Sequence, residues 1–213
     1  MTEKLNRIKI IKACIAEHTI NDPYPQFIIE PEIIEYAEYV TKKVMERTAK
    51  KEGWIPRKMG VLGQELFNGF LLQYKISNVY ANPIYEDMVM RQIKEKHFDF
   101  IIPHMPKGKQ IVSIKVTPEG TTYIRFLANV EQWKNEIHDI AIGIKIDSLE
   151  NRKAHIAGWL YAKEVEKLPI TDLGAGDAYY TYLDPIEATK EEIIPLRNPI
   201  ELMQTLLKGS LKF

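Results

Sequence analysis

One cysteine, Cys14, stands in a chain of 213 residues. No disulfide can close within the chain, and a lone thiol suits a reducing compartment. Long apolar runs are missing as well. No stretch approaches the roughly 18 residues that span a bilayer. The opening run, Met1-Thr2-Glu3-Lys4-Leu5, lacks the apolar core of a secretory signal. These absences predict a cytoplasmic protein with no membrane partner. Net charge is absent too: Lys plus Arg and Asp plus Glu number 29 each. Nothing pulls the whole chain toward nucleic acid, although a local basic patch is permitted. Repeats and low-complexity segments are lacking. The five histidines, His18, His97, His104, His138 and His155, show no metal-ligand spacing. The loop Asp172-Leu173-Gly174-Ala175-Gly176-Asp177 completes neither a P-loop nor a dinucleotide fingerprint. Cys14 has no base near it in the sequence and reads as a core thiol.

What is present fits one sizeable α/β core, with 45% apolar and 27% charged residues. Leu5, Ile8, Ile11 and Ile15 predict a helix over 4–18. Asn21-Asp22-Pro23-Tyr24-Pro25 breaks it. A second helix begins near Pro31, a residue tolerated in a first turn, with Ile33, Ala37, Val40 and Val44 on one face. A third spans 59–74, where Gly60, Gly63 and Gly69 permit close packing on a sheet. Strands follow near 78–84, 98–102 and 110–117, the last two joined by a hairpin-like Pro106-Lys107-Gly108-Lys109. A helix over 127–136 leads to strands at 139–146 and 154–161, then one at 179–183 and a helix after Pro199. Helices and strands in this order predict a mixed central sheet flanked by helices. Residues 1–57 form an N-terminal helical layer on a core of residues 58–213, in one globular unit.

Two charges interrupt apolar strands. Alternation puts Ile111, Ser113 and Lys115 on one face and Val112, Ile114 and Val116 on the other. Phe98, Phe100 and Ile102 share a face, with Asp99 opposite. An Asp and a Lys among apolar neighbours are costly unless they are paired or bind a metal. They are either an ion pair linking two strands or part of an active site. Upstream, Lys42, Lys43, Arg47, Lys50, Lys51, Arg57 and Lys58 face only Glu46 and Glu52 across residues 42–58. That run is either a solvated helix end or a patch contacting phosphates.

Gly63-Gln64-Glu65, Asp99, Ser113-Ile114-Lys115 and Glu131-Gln132-Trp133, in this order, resemble the PD-(D/E)xK nuclease superfamily, over residues 58 to about 146. That family's core is a helix, a β-meander, a helix and a further strand, the restriction-endonuclease-like fold. The resemblance implies a Mg²⁺-dependent deoxyribonuclease, with Mn²⁺ as a substitute, DNA as partner and a homodimer as the working form. Its ligands would be Asp99, Glu131 and the Ile114 carbonyl. Lys115 would orient the attacking water and stabilise developing charge. Glu65 would reach a second metal or a metal-bound water, and Gln132 the DNA backbone or Lys115. Lys50, Lys51, Arg57 and Lys58 would add phosphate contacts.

The chain departs from the pattern at Ser113, where the family usually has Asp or Glu. Some restriction endonucleases similar in this respect move the acid onto the next helix. Glu131 lies there, sixteen residues after Lys115. Glu119 is its rival, although Pro118 and Gly120 mark a turn around it. Tyr85-Glu86-Asp87 also reads as a turn. If no acid has migrated, the alternative is a catalytically inactive nuclease fold kept for DNA binding or assembly.

Overall fold

The computed structural model describes residues 26–48, 54–82, 97–105, 108–120, 125–172, 177–182 and 202. The expected helices at 4–18 and after Pro199, with Cys14, His18, Lys50, Lys51 and Tyr85-Glu86-Asp87, lie outside them, Leu202 apart. The elements are β1 (Gln26–Ile28), α1 (Pro31–Thr48), α2 (Trp54–Gln73), β2 (Val79–Tyr80), β3 (Phe100–Met105) and β4 (Gly108–Thr117). Then come β5 (Arg125–Asn129), α3 (Val130–Asn135), β6 (Ile140–Ser148), β7 (Lys153–Tyr161), α4 (Ala162–Val165), β8 (Ile170–Asp172) and β9 (Asp177–Tyr182). The protein is mixed α/β, as its periodicity predicts.

Six strands form one sheet in the order β1-β7-β6-β4-β3-β2. Within it β4 and β6 run parallel, and the other pairings are antiparallel. A parallel pair needs a crossover, and here residues 125–139 supply it, carrying α3. A smaller antiparallel sheet, β5-β9-β8, lies apart.

Helices α1 and α2 cover one face of the large sheet. Ile33, Ala37 and Val40 of α1 and Leu62, Leu66 and Phe70 of α2 are fully buried there with Ile142, Ile144 and Ile146 of β6. Thr41 donates its hydroxyl to the Ala37 carbonyl at 2.7 Å, so this buried side chain brings no unpaired polar atom. The end of α2 is fixed by a Schellman motif. Lys75 takes φ +54°, the Ile76 amide donates to the Leu71 carbonyl at 2.8 Å, and Lys75 donates to Leu72 at 3.1 Å.

The opposite face carries a second apolar cluster, in which Trp133 of α3 meets Ala128, Ala141, Ala157, Leu160, Val165 and Tyr179. Small residues at Ala141 and Ala157 let this layer approach the sheet. Among the described residues no helix is long and apolar enough to cross a membrane.

Several expectations are corrected in detail. Residues 125–129 are a strand paired with β9, so the helix expected over 127–136 is confined to Val130–Asn135. Asn129 sets that boundary as N-cap, accepting from the Gln132 amide at 2.9 Å. The boundary expected between residues 57 and 58 falls inside α2, and β1 adds an edge strand that sequence alone did not show. In β3 the register shifts between Ile102 and Met105, around Pro103, which has no amide to give the ladder. Phe98 does not share a face with Phe100. It packs with Ile101 and Ile111, while Phe100 and Ile102 lie in the helix-side core. The alternation breaks at the bend of Asp99.

Gly60 has open space around it, but Gly63 is where α2 touches β4: a β-carbon there would overlap Val116 Cγ2. Gly63→Ala should therefore destabilise the protein by about 1–2 kcal/mol, overpacking outweighing its better helix propensity. Adding Val116→Ala should recover part of that loss in urea denaturation. An unchanged Gly63→Ala midpoint would disprove the close contact.

Candidate active site

Asp99 sits at the bend just ahead of β3, where that strand has turned away from β4. Its carboxylate fills the gap. Oδ2 accepts from the Ile114 amide at 2.6 Å, and Oδ1 accepts from Gln64 Nε2 of α2 at 2.5 Å. Strand residues alternate in the direction of their backbone groups. The Ile111 amide and carbonyl both bond Asp139, on the β6 side. Ile114, three positions on, turns its amide and carbonyl to the other side, where Asp99 lies.

The second half of the site comes from the crossover. Lys115 Nζ lies 3.5 Å from Glu136 Oε2 and 5.5 Å from the centre of the Trp133 ring. Both partners of this ion pair are mostly buried, with side chains 11% and 16% exposed. Glu136 Oε1 accepts from Gln132 Nε2, one helical turn back, at 2.6 Å. Glu136 is held in place by backbone: it forms a parallel bridge with His97, and the Ile137 amide donates to the His97 carbonyl at 3.1 Å. Because His97 is two residues from Asp99, this bridge brings the two acids together.

Electrostatics reflect that gathering. Burial raises the Asp99 carboxyl from 3.8 to about 6. Lys115, the Ile114 amide and Gln64 oppose the rise, and the nearby Glu136 adds to it. His138 packs against Trp133. Burial and then the Lys115 charge lower its imidazole from 6.5 to about 4, so it is neutral at pH 7. Among the described residues, four buried side-chain atoms have no hydrogen-bond partner: Gln64 Oε1, Ser113 Oγ, Trp133 Nε1 and His138 Nδ1.

The expected site residues divide as follows. Asp99, Ile114 and Lys115 converge, and Gln132 adjoins them through Glu136. Glu131 is exposed in the first turn of α3. It lies two residues, about 200°, around the helix from buried Trp133, so it faces away from the sheet. The acid on Lys115 is Glu136, missed because the displaced acid was sought by its spacing after Lys115. Gln132 and Glu136 at i,i+4 were the available signal. Glu65 is buried and accepts from the Tyr80 hydroxyl at 2.8 Å and Asn82 Nδ2 at 3.2 Å, one residue around α2 from Gln64. Glu119 is exposed and accepts from the Leu149 amide at 2.7 Å. Of the basic run, Arg57 is half-buried and Lys58 pairs with Glu38 at 2.5 Å.

Among the described residues no three or more His, Cys, Asp or Glu side chains form a metal-holding group. Two carboxylates and a strand carbonyl remain, the hard oxygen donors that suit an ion keeping much of its own water. No family model, curated protein or solved structure matches this chain.

Opposite pH trends follow for the two perturbed groups. The folded state keeps the Asp99 proton after the unfolded chain has lost it, so this group's stability contribution falls as pH rises from about 4 to about 6. The unfolded chain takes up the His138 proton first, so that contribution falls as pH drops from about 6.5 to about 4. Relative to wild type, Asp99→Asn should gain stability as pH rises through the first window, reaching roughly 1–3 kcal/mol at pH 7. His138→Gln should gain as pH falls through the second. Urea denaturation across pH 4 to 8 reads both. A pH-independent difference for Asp99→Asn would contradict a half-buried carboxyl with a raised pKa.

Proposed function

We propose that this protein is a Mg²⁺-dependent endonuclease that hydrolyses DNA phosphodiester bonds on a restriction-endonuclease-like core. The observation that carries the reading is the gathering of Asp99 and Glu136 around Lys115 where β3 parts from β4. The chain order supports it. Helix α2, the antiparallel run β2-β3-β4, helix α3 and strand β6 parallel to β4 follow the sequence of elements that the resemblance implies. Strand β5 is an addition within the crossover.

Asp99, Glu136 and the Ile114 carbonyl would hold the metal, with Glu136 in the role first given to Glu131. When bound, Mg²⁺ supplies polarisation of the scissile phosphate and a more acidic water. The remaining work belongs to the chain. Gln64 and the Ile114 amide fix the Asp99 carboxylate. Gln132 fixes Glu136. Lys115, released from Glu136 as a phosphate arrives, neutralises charge that develops on the phosphoryl oxygens. Trp133 walls this space from the α3 side, within reach of the Lys115 ammonium.

A second reading is a nuclease fold that binds DNA without cutting it. Ser113 favours it, since this buried serine stands where the family usually carries an acid and its hydroxyl has no partner.

Supercoiled, linear and single-stranded DNA, incubated with Mg²⁺, Mn²⁺ or a chelator, separate the two. The chelator should abolish cleavage. Asp99→Asn, Lys115→Ala and Glu136→Gln should each slow it by about 100-fold or more. Full activity in Asp99→Asn would overturn the proposed site. Loss in Glu131→Gln with activity kept in Glu136→Gln would return the acid's role to Glu131. Binding without cleavage by wild type would favour the second reading.

A further inference from the structure

Helix α2 carries a single acid, Glu65, and only 2% of it is exposed. Its Oε1 accepts from the Tyr80 hydroxyl at 2.8 Å and from Asn82 Nδ2 at 3.2 Å. Asn82 is equally buried, and its Nδ2 also lies 3.4 Å from the Tyr36 hydroxyl of α1. One oxygen thus takes two donors from the same short run of chain. A metal drawing that carboxylate away would deprive both donors of this acceptor, and stranding a buried donor is costly.

The run that Glu65 holds is the one that bonds Asp99. Ala81, between Tyr80 and Asn82, donates its amide to the Asp99 carbonyl at 2.9 Å. Tyr80 pairs with Phe100, the residue after Asp99, and their rings stack with centres 4.6 Å apart. Strand β2 has only two residues and lies at the edge of the sheet. Its ladder is short, so side-chain contacts carry much of its attachment. Consecutive residues of α2 therefore take hold of Asp99 from two sides. Gln64 bonds its carboxylate, and Glu65, a 100° step further round the helix, steadies the run bonded to its backbone. We infer that Glu65 is a positioning residue, acting on Asp99 through Tyr80, Asn82 and the Ala81 amide, and that it holds no ion of the site. The inference rests on the nuclease reading and deepens it, since it takes the acid of α2 out of the metal chemistry and makes it a support for the metal-holding Asp99.

The test titrates full-length protein with Mn²⁺, reading the free ion by electron paramagnetic resonance, beside Mg²⁺-dependent plasmid cleavage on the same preparations. Glutamine keeps an acceptor oxygen for Tyr80 and Asn82. Glu65→Gln should therefore bind as many Mn²⁺ ions as wild type, with affinity within about threefold. Glu65→Ala, Tyr80→Phe and Asn82→Ala each break the anchor and should weaken Mn²⁺ about tenfold, the usual scale for a group supporting a ligand. Tyr80→Phe keeps its ring for Phe100, so it reads the anchor even where Glu65→Ala does not fold. Glu65→Ala with Tyr80→Phe should be little weaker than Glu65→Ala alone, because both remove one bond. Unchanged Mn²⁺ affinity in Tyr80→Phe and Asn82→Ala would overturn the positioning role, and one ion fewer in Glu65→Gln would return Glu65 to a metal. Cleavage by wild type alongside either result leaves the nuclease standing. Mn²⁺ binding in the expected order without cleavage rejects the nuclease and supports the role of Glu65. Wild type that binds no Mn²⁺ would overturn both.

Discussion

Where β3 parts from β4, a side-chain carboxylate takes the position of a backbone acceptor, and much of the local structure hangs on that substitution. The amide of Ile114 would otherwise face the end of the ladder with no strand opposite. Asp99 satisfies it, and the same group draws Gln64 down from α2 onto the sheet. One carboxylate thus links the helix layer, the turning strand and the strand that carries Lys115. The linkage is costly, because the charge is held where water is scarce. Burial outweighs three favourable partners in raising its pKa to about 6. A site that only needed to be stable would be better served by a neutral amide there.

Glu136 adds to that cost. It brings a second negative charge toward Asp99 and is stabilised by Lys115 and Gln132. Lys115 is thereby the cation between two acids, and after burial it is the second cause that keeps His138 neutral. On the proposed reading, a divalent cation held by the two carboxylates would relieve their repulsion and free the ammonium.

Strands β6 and β7, and the Ile111–Ile114 centre of β4, were readable because most of their residues are buried and apolar, and the helix at Pro31 announced itself by proline and spacing. Asp99 and Lys115 stood out because charge inside an apolar run has few explanations. Other parts were silent for physical reasons. Strands β1 and β5 have five residues or fewer and owe their existence to partners distant in sequence, β7 and β9. The break in alternation at Asp99 is a bend, and side-chain pattern carries no trace of where a strand turns. Glu131 was picked out by its spacing after Lys115, which carries no helix phase, so Glu136, the acid that pairs with Lys115, was passed over. Asn129 was the overlooked signal, since a capping asparagine fixes the phase of every residue after it. Glu65 and Gln64 were separated only by the 100° step of a helix, which spacing alone does not resolve.

Strand β5 is inserted in the crossover between β4 and β6, yet it hydrogen-bonds with β9 of the smaller sheet. The chain reaches α3 directly from it, so Asn129 ends one sheet and begins the helix that bears Gln132. One acid is therefore mounted on the large sheet and its companion on an element suspended from the small one. Their alignment is a matter of how two separately built platforms are levelled against each other, with the His97–Glu136 bridge as the pin and Trp133 and Ala141 as the bearing surface.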